Sequence, residues 1–256
     1  MAVRDDTRAP AAVPGRVRRV VSIVPSLTET VAATAPELLA GATDWCTRPE
    51  GLDVPRVRGT KNPDLERIIA LRPDVVVGNT EENRPADVEA LRAAGVPVWM
   101  TRIRTVEEAL ASLRRMLTEA CRVPVPGWLE EASRVWAGVA PGEPRAAVIP
   151  IWRRPWMVVG RDTFTGDVLA RLGVSNVYAG HSDRYPKIPL DELTAAGADL
   201  VVLPDEPYRF TEDDGPECFP GLDVALVSGR LLTWYGPSLV EAPAALAERL
   251  AAARPR

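Results

Sequence analysis

Two segments of the chain share one pattern: Pro63 to Asn79, PDLERIIALRPDVVVGN, and Pro189 to Pro204, PLDELTAAGADLVVLP. Each opens with acids suited to a helix start, continues at helical apolar spacing, turns, and ends in an apolar run that reads as a buried strand. A helix-then-strand unit used twice confines the chain to an α/β architecture and points to two lobes, each with its own central sheet. The 256 residues leave room for two lobes of roughly 100 residues each. An apolar share of 46% is enough to give both a core.

The formal charge of -4 argues against nucleic acid as a partner, because phosphate recognition needs a basic face. Cys46, Cys121 and Cys218 are odd in number and widely spaced. They fit neither a disulfide framework nor zinc spacing, and read as buried thiols in a reducing compartment. The start, MAVRDDTRAPAAVPGRVRR, has no apolar stretch of the secretory kind, and no run reaches membrane-spanning length. A cytoplasmic location is expected on that basis, with a periplasmic or cell-surface one reserved for a misassigned or trimmed start.

Residues 1–16, rich in Pro, Ala and charge, read as a disordered arm. Residues 17–117 read as an N-terminal α/β lobe. The strand Arg19–Val24 runs directly into PSLTE, where Ser26 is suited to cap a helix over Leu27–Leu39. A strand ending at a helix start presents unpaired backbone N–H groups to whatever lies in front of it. Strands at Leu39–Asp44, Val75–Val77 and Val96–Met100 alternate with helices at Ala86–Ala94 and Val106–Leu117. Residues 118–144 break the alternation: Leu129, Ala132, Val135 and Trp136 recur at helical spacing within Trp128–Ala140, so this reads as a connecting helix and not a loose linker. Residues 145–256 read as a C-terminal α/β lobe. Its strands include Ala146–Ile151, Val201–Leu203 and Ala225–Val227, and its closing helix is Ser238–Ala253.

The strings RVVSIVPSLTET, WCTRPE, NPDLERIIALRPDVVV, and AAGVPVW followed by TVEEALASL resemble the N-terminal lobe of the class III solute-binding proteins. That family, also called the helical backbone metal receptors, includes the cobalamin-, haem- and siderophore-binding components of ABC importers. The resemblance covers residues 17–250 and implies two α/β lobes joined by a single long backbone helix, with a ligand cleft between them. It implies a monomer that holds cobalamin, haem, a ferric siderophore or a related metal chelate without covalent attachment. It also implies an ABC permease as partner if the protein is exported.

Carried over position by position, the resemblance places Pro25, Ser26, Leu27 and Thr28 on the first strand-exit loop. Thr60 and Asn79 fall where cobalamin-binding members carry cleft aromatics, whereas Tyr185 keeps that aromatic character. Two polar positions of three, with Lys61, Glu81, Glu82, Asn83 and Arg84 nearby, lead to an expectation of more polar ligand contacts. Glu66 and Asp191, six residues after Thr60 and Tyr185, match the carboxylates that dock on permease arginines; acids at helix starts are equally explained by the helix dipole.

Trp45, Trp152, Trp156, Tyr208, Trp234 and Tyr235 are further candidates for the ligand surface, against ordinary core or rim packing. Arg161, with Arg153, Arg154 and Arg184, is suited to ligand carboxylates, against a solvated role for each. His181, the single histidine, lacks a companion ligand set, and Asp205, Glu206, Glu212, Asp213 and Asp214 read as a solvated acidic loop without calcium-site spacing. No catalytic motif is present, so no catalytic or metal-ligating residue is assigned. Two alternatives to a transport-type binding protein stay open: an enzyme or cofactor-handling protein on the same fold, and an intracellular sensor or scaffold.

Overall fold

The computed structural model describes residues 3–255, which fall into two compact units. The first comprises Met1–Ile103, Glu107–Ala132 and Tyr235–Pro237; the second comprises Arg104–Val106, Ser133–Trp234 and Ser238–Arg256.

In the first unit the described chain begins with a hairpin, β1 (Val3–Arg4) paired antiparallel with β2 (Pro10–Ala11). β3 (Val20–Ser22) leads into α1 (Pro25–Thr34), and β4 (Leu39–Ala42) follows. The short hairpin β5 (Arg58–Gly59) and β6 (Asn62–Pro63) precedes α2 (Leu65–Ala70) and β7 (Val75–Asn79). Then come α3 (Pro85–Ala93), β8 (Val98–Thr101), α4 (Val106–Arg115) and α5 (Gly127–Ala137). The four main strands are parallel in the order β4-β3-β7-β8. Val20, Val21 and Val75–Val77 are buried, as a sheet covered on both faces requires. Val21, Ile23, Ile68, Val76, Leu91 and Val98 make the core that α2 and α3 close over.

The disordered arm expected over residues 1–16 is corrected by the structure over its described part. Asp6 N donates to Met100 O at 3.1 Å, and Met100 N donates to Asp5 Oδ2 at 3.2 Å. Arg102 N donates to Asp6 Oδ2 at 3.1 Å. The hairpin therefore covers β8, the edge strand of the sheet, by supplying carboxylate acceptors for its N–H groups. Arg92 and Arg115 pair with Asp5 and Asp6 at 2.7 and 2.8 Å. Composition pointed to disorder because none of these partners is local. Met1 and Ala2, also read as part of the arm, lie outside the described residues.

α1 begins two residues earlier than the sequence pattern predicts. Val24 occupies the cap position without a side-chain hydrogen bond, Pro25 starts the helix, and Ser26 is buried in its first turn and does not cap it. Where the helix expected over Val106–Leu117 meets the connecting region expected from residue 118, Met116–Ala120 is a wide π-type turn. α5 stops at Ala137, and the division into units falls inside it, between Ala132 and Ser133.

In the second unit, β9 (Arg145–Val148) is followed by the antiparallel hairpin β10 (Pro150–Arg153) and β11 (Trp156–Val158). α6 (Phe164–Arg171) is capped by Thr163, whose Oγ1 accepts from Gly166 N at 3.1 Å. Then come β12 (Val174–Asn176), α7 (Leu190–Thr194) and β13 (Leu200–Pro204). β14 (Asp223–Val227), α8 (Gly229–Thr233), α9 (Ala242–Ala251) and β15 (Arg254–Pro255) complete it. The order is β12-β9-β13-β14-β15, parallel except for the antiparallel edge β15. Numbered within each unit, the parallel strands run 2-1-3-4 in both, and the two α–β segments singled out in the sequence supply strand 3 each time.

Among the described residues no helix is long and apolar enough to cross a membrane.

Candidate functional site

A 2-1-3-4 order reverses direction between strands 1 and 3. Ligands of open α/β sheets bind beyond the carboxyl ends of the strands at such a reversal. In the first unit this is where β3 and β7 end, and the residues there are Val24–Thr28 and Asn79–Arg84.

Asn83 organises this edge. Its Oδ1 accepts from Asn79 N at 2.8 Å, while Nδ2 donates to Ile23 O at 3.2 Å and Thr60 O at 3.1 Å. One buried amide thus ties together the exits of β3 and β7 and the β5–β6 hairpin. Gly78 is required for this: a Cβ there would stand 2.6 Å from Asn83 Oδ1. Asn79 is 1% exposed and equally committed. Its Nδ2 reaches Thr101 Oγ1 at 3.0 Å, and its Oδ1 accepts from Glu81 N at 2.8 Å. The polar character of Asn79, read in the sequence as a ligand contact, is accounted for by this internal network. Thr60 is also buried, and its carbonyl is spent on Asn83.

Ser26, Leu27 and Thr28 point inward too. Thr28 Oγ1 lies 2.9 Å from Cys46 Sγ, and Thr43 Oγ1 lies 3.1 Å from the same sulfur. Burial pushes the Cys46 thiol up, against the lowering effect of these hydroxyls, so it is a structural thiol and not a nucleophile. It tethers the 43–46 loop to the first turn of α1. Next to it Trp45 is 68% exposed. Its indole nitrogen would lie 3.4 Å from a Cβ on Gly59, which places the ring beside the β5–β6 hairpin.

Sequence reasoning missed Arg56, which holds this loop: its guanidinium donates to Thr43 O at 3.0 Å, Cys46 O at 2.8 Å and Leu52 O at 3.0 Å. A single arginine between Pro55 and Val57 carries no motif that would have revealed it. Each of these charge-assisted bonds contributes on the order of 1.5 kcal/mol or more. Arg56→Ala is therefore expected to speed amide exchange across residues 43–52 by about tenfold or more, with the exchange of β7 amides unchanged.

Lys61, Glu82 and Arg84 complete this edge. Lys61 Nζ donates to Glu81 O, and Arg84, itself exposed, forks onto the buried Asp87 carboxylate at 2.8 and 3.1 Å at the start of α3. Burial holds the Glu82 carboxyl above its ordinary range; Lys61 opposes the shift and Glu81 adds to it. As pH rises from the ordinary carboxylate pKa through the raised one, the folded state keeps a proton that the unfolded chain has lost, so stability falls across that window. Glu82→Gln removes the fall. Urea midpoints are expected to show the variant more stable than the parent at pH 7, and the difference gone at pH 4.

In the second unit the named aromatics separate into packed and open groups. Trp156 stacks on Phe210 at 6.0 Å and meets Phe219 edge-on at 5.4 Å, so it serves the core. Trp152, 42% exposed, leans edge-on against Tyr208 at 5.6 Å, and Tyr208 donates its hydroxyl to Asp214 Oδ2 at 2.7 Å. Arg153, considered as a carboxylate holder, is held by the chain's own Asp214 and by Glu217, the latter at 2.5 Å. The 205–219 loop is thus tied down, contrary to the solvated acidic loop expected. Arg161 Nε donates to Ser182 O at 2.7 Å, Arg184 Nη2 donates to Asp162 O at 2.6 Å, and the Arg184 guanidinium lies 5.8 Å over the half-buried Tyr185 ring. His181 Nδ1 accepts from Asp183 N at 2.9 Å in a local turn. Trp234 is half-buried after α8. Tyr235 is buried and belongs to the first unit, where Gly236 comes so close to α1 that a Cβ would stand 2.8 Å from Thr30 Oγ1. Glu66 and Asp191 are exposed in the first turns of α2 and α7. Cys121, pushed up to about 12 by burial, is inert.

No family model matches the chain. A vitamin B12-binding protein of Vibrio parahaemolyticus is 26% identical over 185 residues, covering 69% of this chain and 67% of the relative. Among solved structures, the periplasmic vitamin B12-binding protein BtuF of Vibrio cholerae superposes with a TM-score of 0.76 at 15% identity, over 93% of this chain and 98% of the other. The periplasmic heme-binding protein RhuT of Roseiflexus sp. gives 0.75 at 20% identity, over 91% and 99%. Helicobacter pylori CeuE with Ni(II) bound gives 0.82 at 14% identity, over 97% and 88%. These relatives are named for binding and not for catalysis. The expected cytoplasmic location is overturned: solved structures that share this fold are of periplasmic proteins. In sequence and in fold alike, the chain is similar to the class III solute-binding proteins, the family that its N-terminal motifs resemble.

Proposed function

We propose that this chain binds a small ring-based metal chelate, of the corrinoid or porphyrin kind, without turning it over, and delivers it to an ABC permease outside the cytoplasm. The observation that carries the reading is Trp45: a large aromatic held 68% exposed on the loop after β4, which Arg56 and Cys46 fix in place beside the first turn of α1. Exposing an indole costs stability, and an aromatic platform recovers that cost against a flat ligand. Lys61 and Glu82 are the polar contacts proposed with it, and Pro25 a further apolar one. The similarity to proteins named for vitamin B12 and heme binding supports the ligand class. In the second unit, Trp152, Arg161, Tyr185 and Trp234 are the ligand contacts proposed. Glu66 and Asp191, exposed on matched helix starts, are the proposed permease contacts.

Titration of the purified chain with cobalamin, haem and a ferric siderophore, read by absorbance and tryptophan fluorescence, tests this. One of the first two is expected to saturate, and Trp45→Ala to weaken it about tenfold or more with melting unchanged. Siderophore binding alone, or a Trp45→Ala variant of unaltered affinity, would overturn the ring-based reading. Glu66→Arg with Asp191→Arg is expected to leave affinity intact and stop transfer to the permease.

A further inference from the structure

A cavity of about 570 Å³ opens in the second unit where β13 and β14 end, bounded by α8, α9 and the loop after β13. We propose that it is a binding site for an apolar amine, distinct from the edge that carries Trp45. Its volume lies within the about 300–1,000 Å³ usual for small-molecule sites.

The interior is apolar. β15 pairs with β14 only at Asp223 and Val224, and beyond that pairing Leu226 on β14 is half-buried, with Leu231 of α8 and Ala245 of α9 half-buried beside it. Apolar side chains between a sheet and its covering helices are ordinarily sealed by packing; here they line open space with Leu246. The rim differs in chemistry. Asp205, Glu212 and Glu248 stand on it against one guanidinium, Arg249, leaving it net negative. Asp205 is oriented in advance, its Oδ1 accepting from Gly229 N at 2.6 Å. Gly229 admits no side chain, because a Cβ would stand 2.6 Å from Glu206 O, so the exits of β13 and β14 are locked together at this wall. An acidic rim over an apolar pocket selects a protonated amine with a hydrophobic body. It disfavours carboxylates and phosphates of the same shape.

The test is calorimetric titration of the full chain with 4-phenylbutylamine and with 4-phenylbutyrate as the charge-reversed probe. The amine is expected to bind saturably and the acid not to bind. Ala245→Trp, which fills the cavity from α9, is expected to abolish amine binding, and Glu248→Gln, a surface change that leaves folding alone, to weaken it about threefold to fivefold. Both variants are also expected to take up the chelate as the parent does, which separates failure here from failure of the site at Trp45. Absence of saturable amine binding, equal binding of the acid, or full affinity in Glu248→Gln would overturn the proposal. If Ala245→Trp does not fold, the two probes and Glu248→Gln decide.

Discussion

Asp5→Ala is expected to cost about 3–5 kcal/mol of stability, although Asp5 lies in a stretch whose composition suggests disorder. The carboxylate is 2% exposed. Its Oδ1 accepts from Thr7 N at 2.9 Å, Thr7 Oγ1 at 2.6 Å and Ala9 N at 3.0 Å, which shapes the β1–β2 hairpin. Its Oδ2 accepts from Arg92 at 2.7 Å and Met100 N at 3.2 Å, which docks that hairpin on β8. Removing it leaves the Arg92 guanidinium half-buried beside an already unpaired Nε, and strips an acceptor from the edge strand. Breaking one side of a buried ion pair costs more than the pair contributes, because the remaining charge keeps its desolvation penalty. Urea unfolding measures the loss; a change below about 1 kcal/mol would mean that the hairpin does not hold the edge.

The second large effect is expected at Asn83. Asn83→Ala leaves Asn79 N, Ile23 O and Thr60 O without their buried partner, at about 1–3 kcal/mol for each group that water does not reach; a total loss of about 2–4 kcal/mol is expected. Asn83→Asp is expected to be no milder. An ionised carboxylate keeps the acceptor for Asn79 N but cannot donate to the two carbonyls, and it places a charge where Asn83 is 4% exposed. Both variants are expected to weaken chelate binding as well, because the three exit segments lose their common anchor. Stability and affinity measured on the same preparations check this. Affinity kept in a destabilised Asn83→Ala would show that the anchor serves the fold alone.

Much of the fold was legible because its signals are local. The valines of β3 and β7, the acid that caps α2 and the apolar run of β13 each announce an element within a few residues, and the repeat of the α–β unit announces the second lobe. Asp64, for example, does cap α2, accepting from Arg67 N at 3.0 Å. The N-terminal hairpin was not legible, since Asp5 and Asp6 find their partners at Arg92, Met100 and Arg115. Polarity at Thr60 and Asn79 was visible, but its direction was not. A polar side chain facing a ligand and one facing Thr101 look alike in sequence, and only the geometry shows that Asn79 does the latter. Trp45 was read as a candidate, but the feature that singles it out, exposure on a loop braced by Arg56, is three-dimensional. The cytoplasmic expectation rested on the lack of an apolar stretch among the first residues, and the periplasmic proteins that share the fold contradict it.

Native mass spectrometry of the protein purified from its own host tests the central claim most directly. One ring-based metal chelate per chain, retained in the native spectrum and released on denaturation, is the predicted result. A chain that carries no such mass, and that takes up neither cobalamin nor haem when they are supplied, would contradict it.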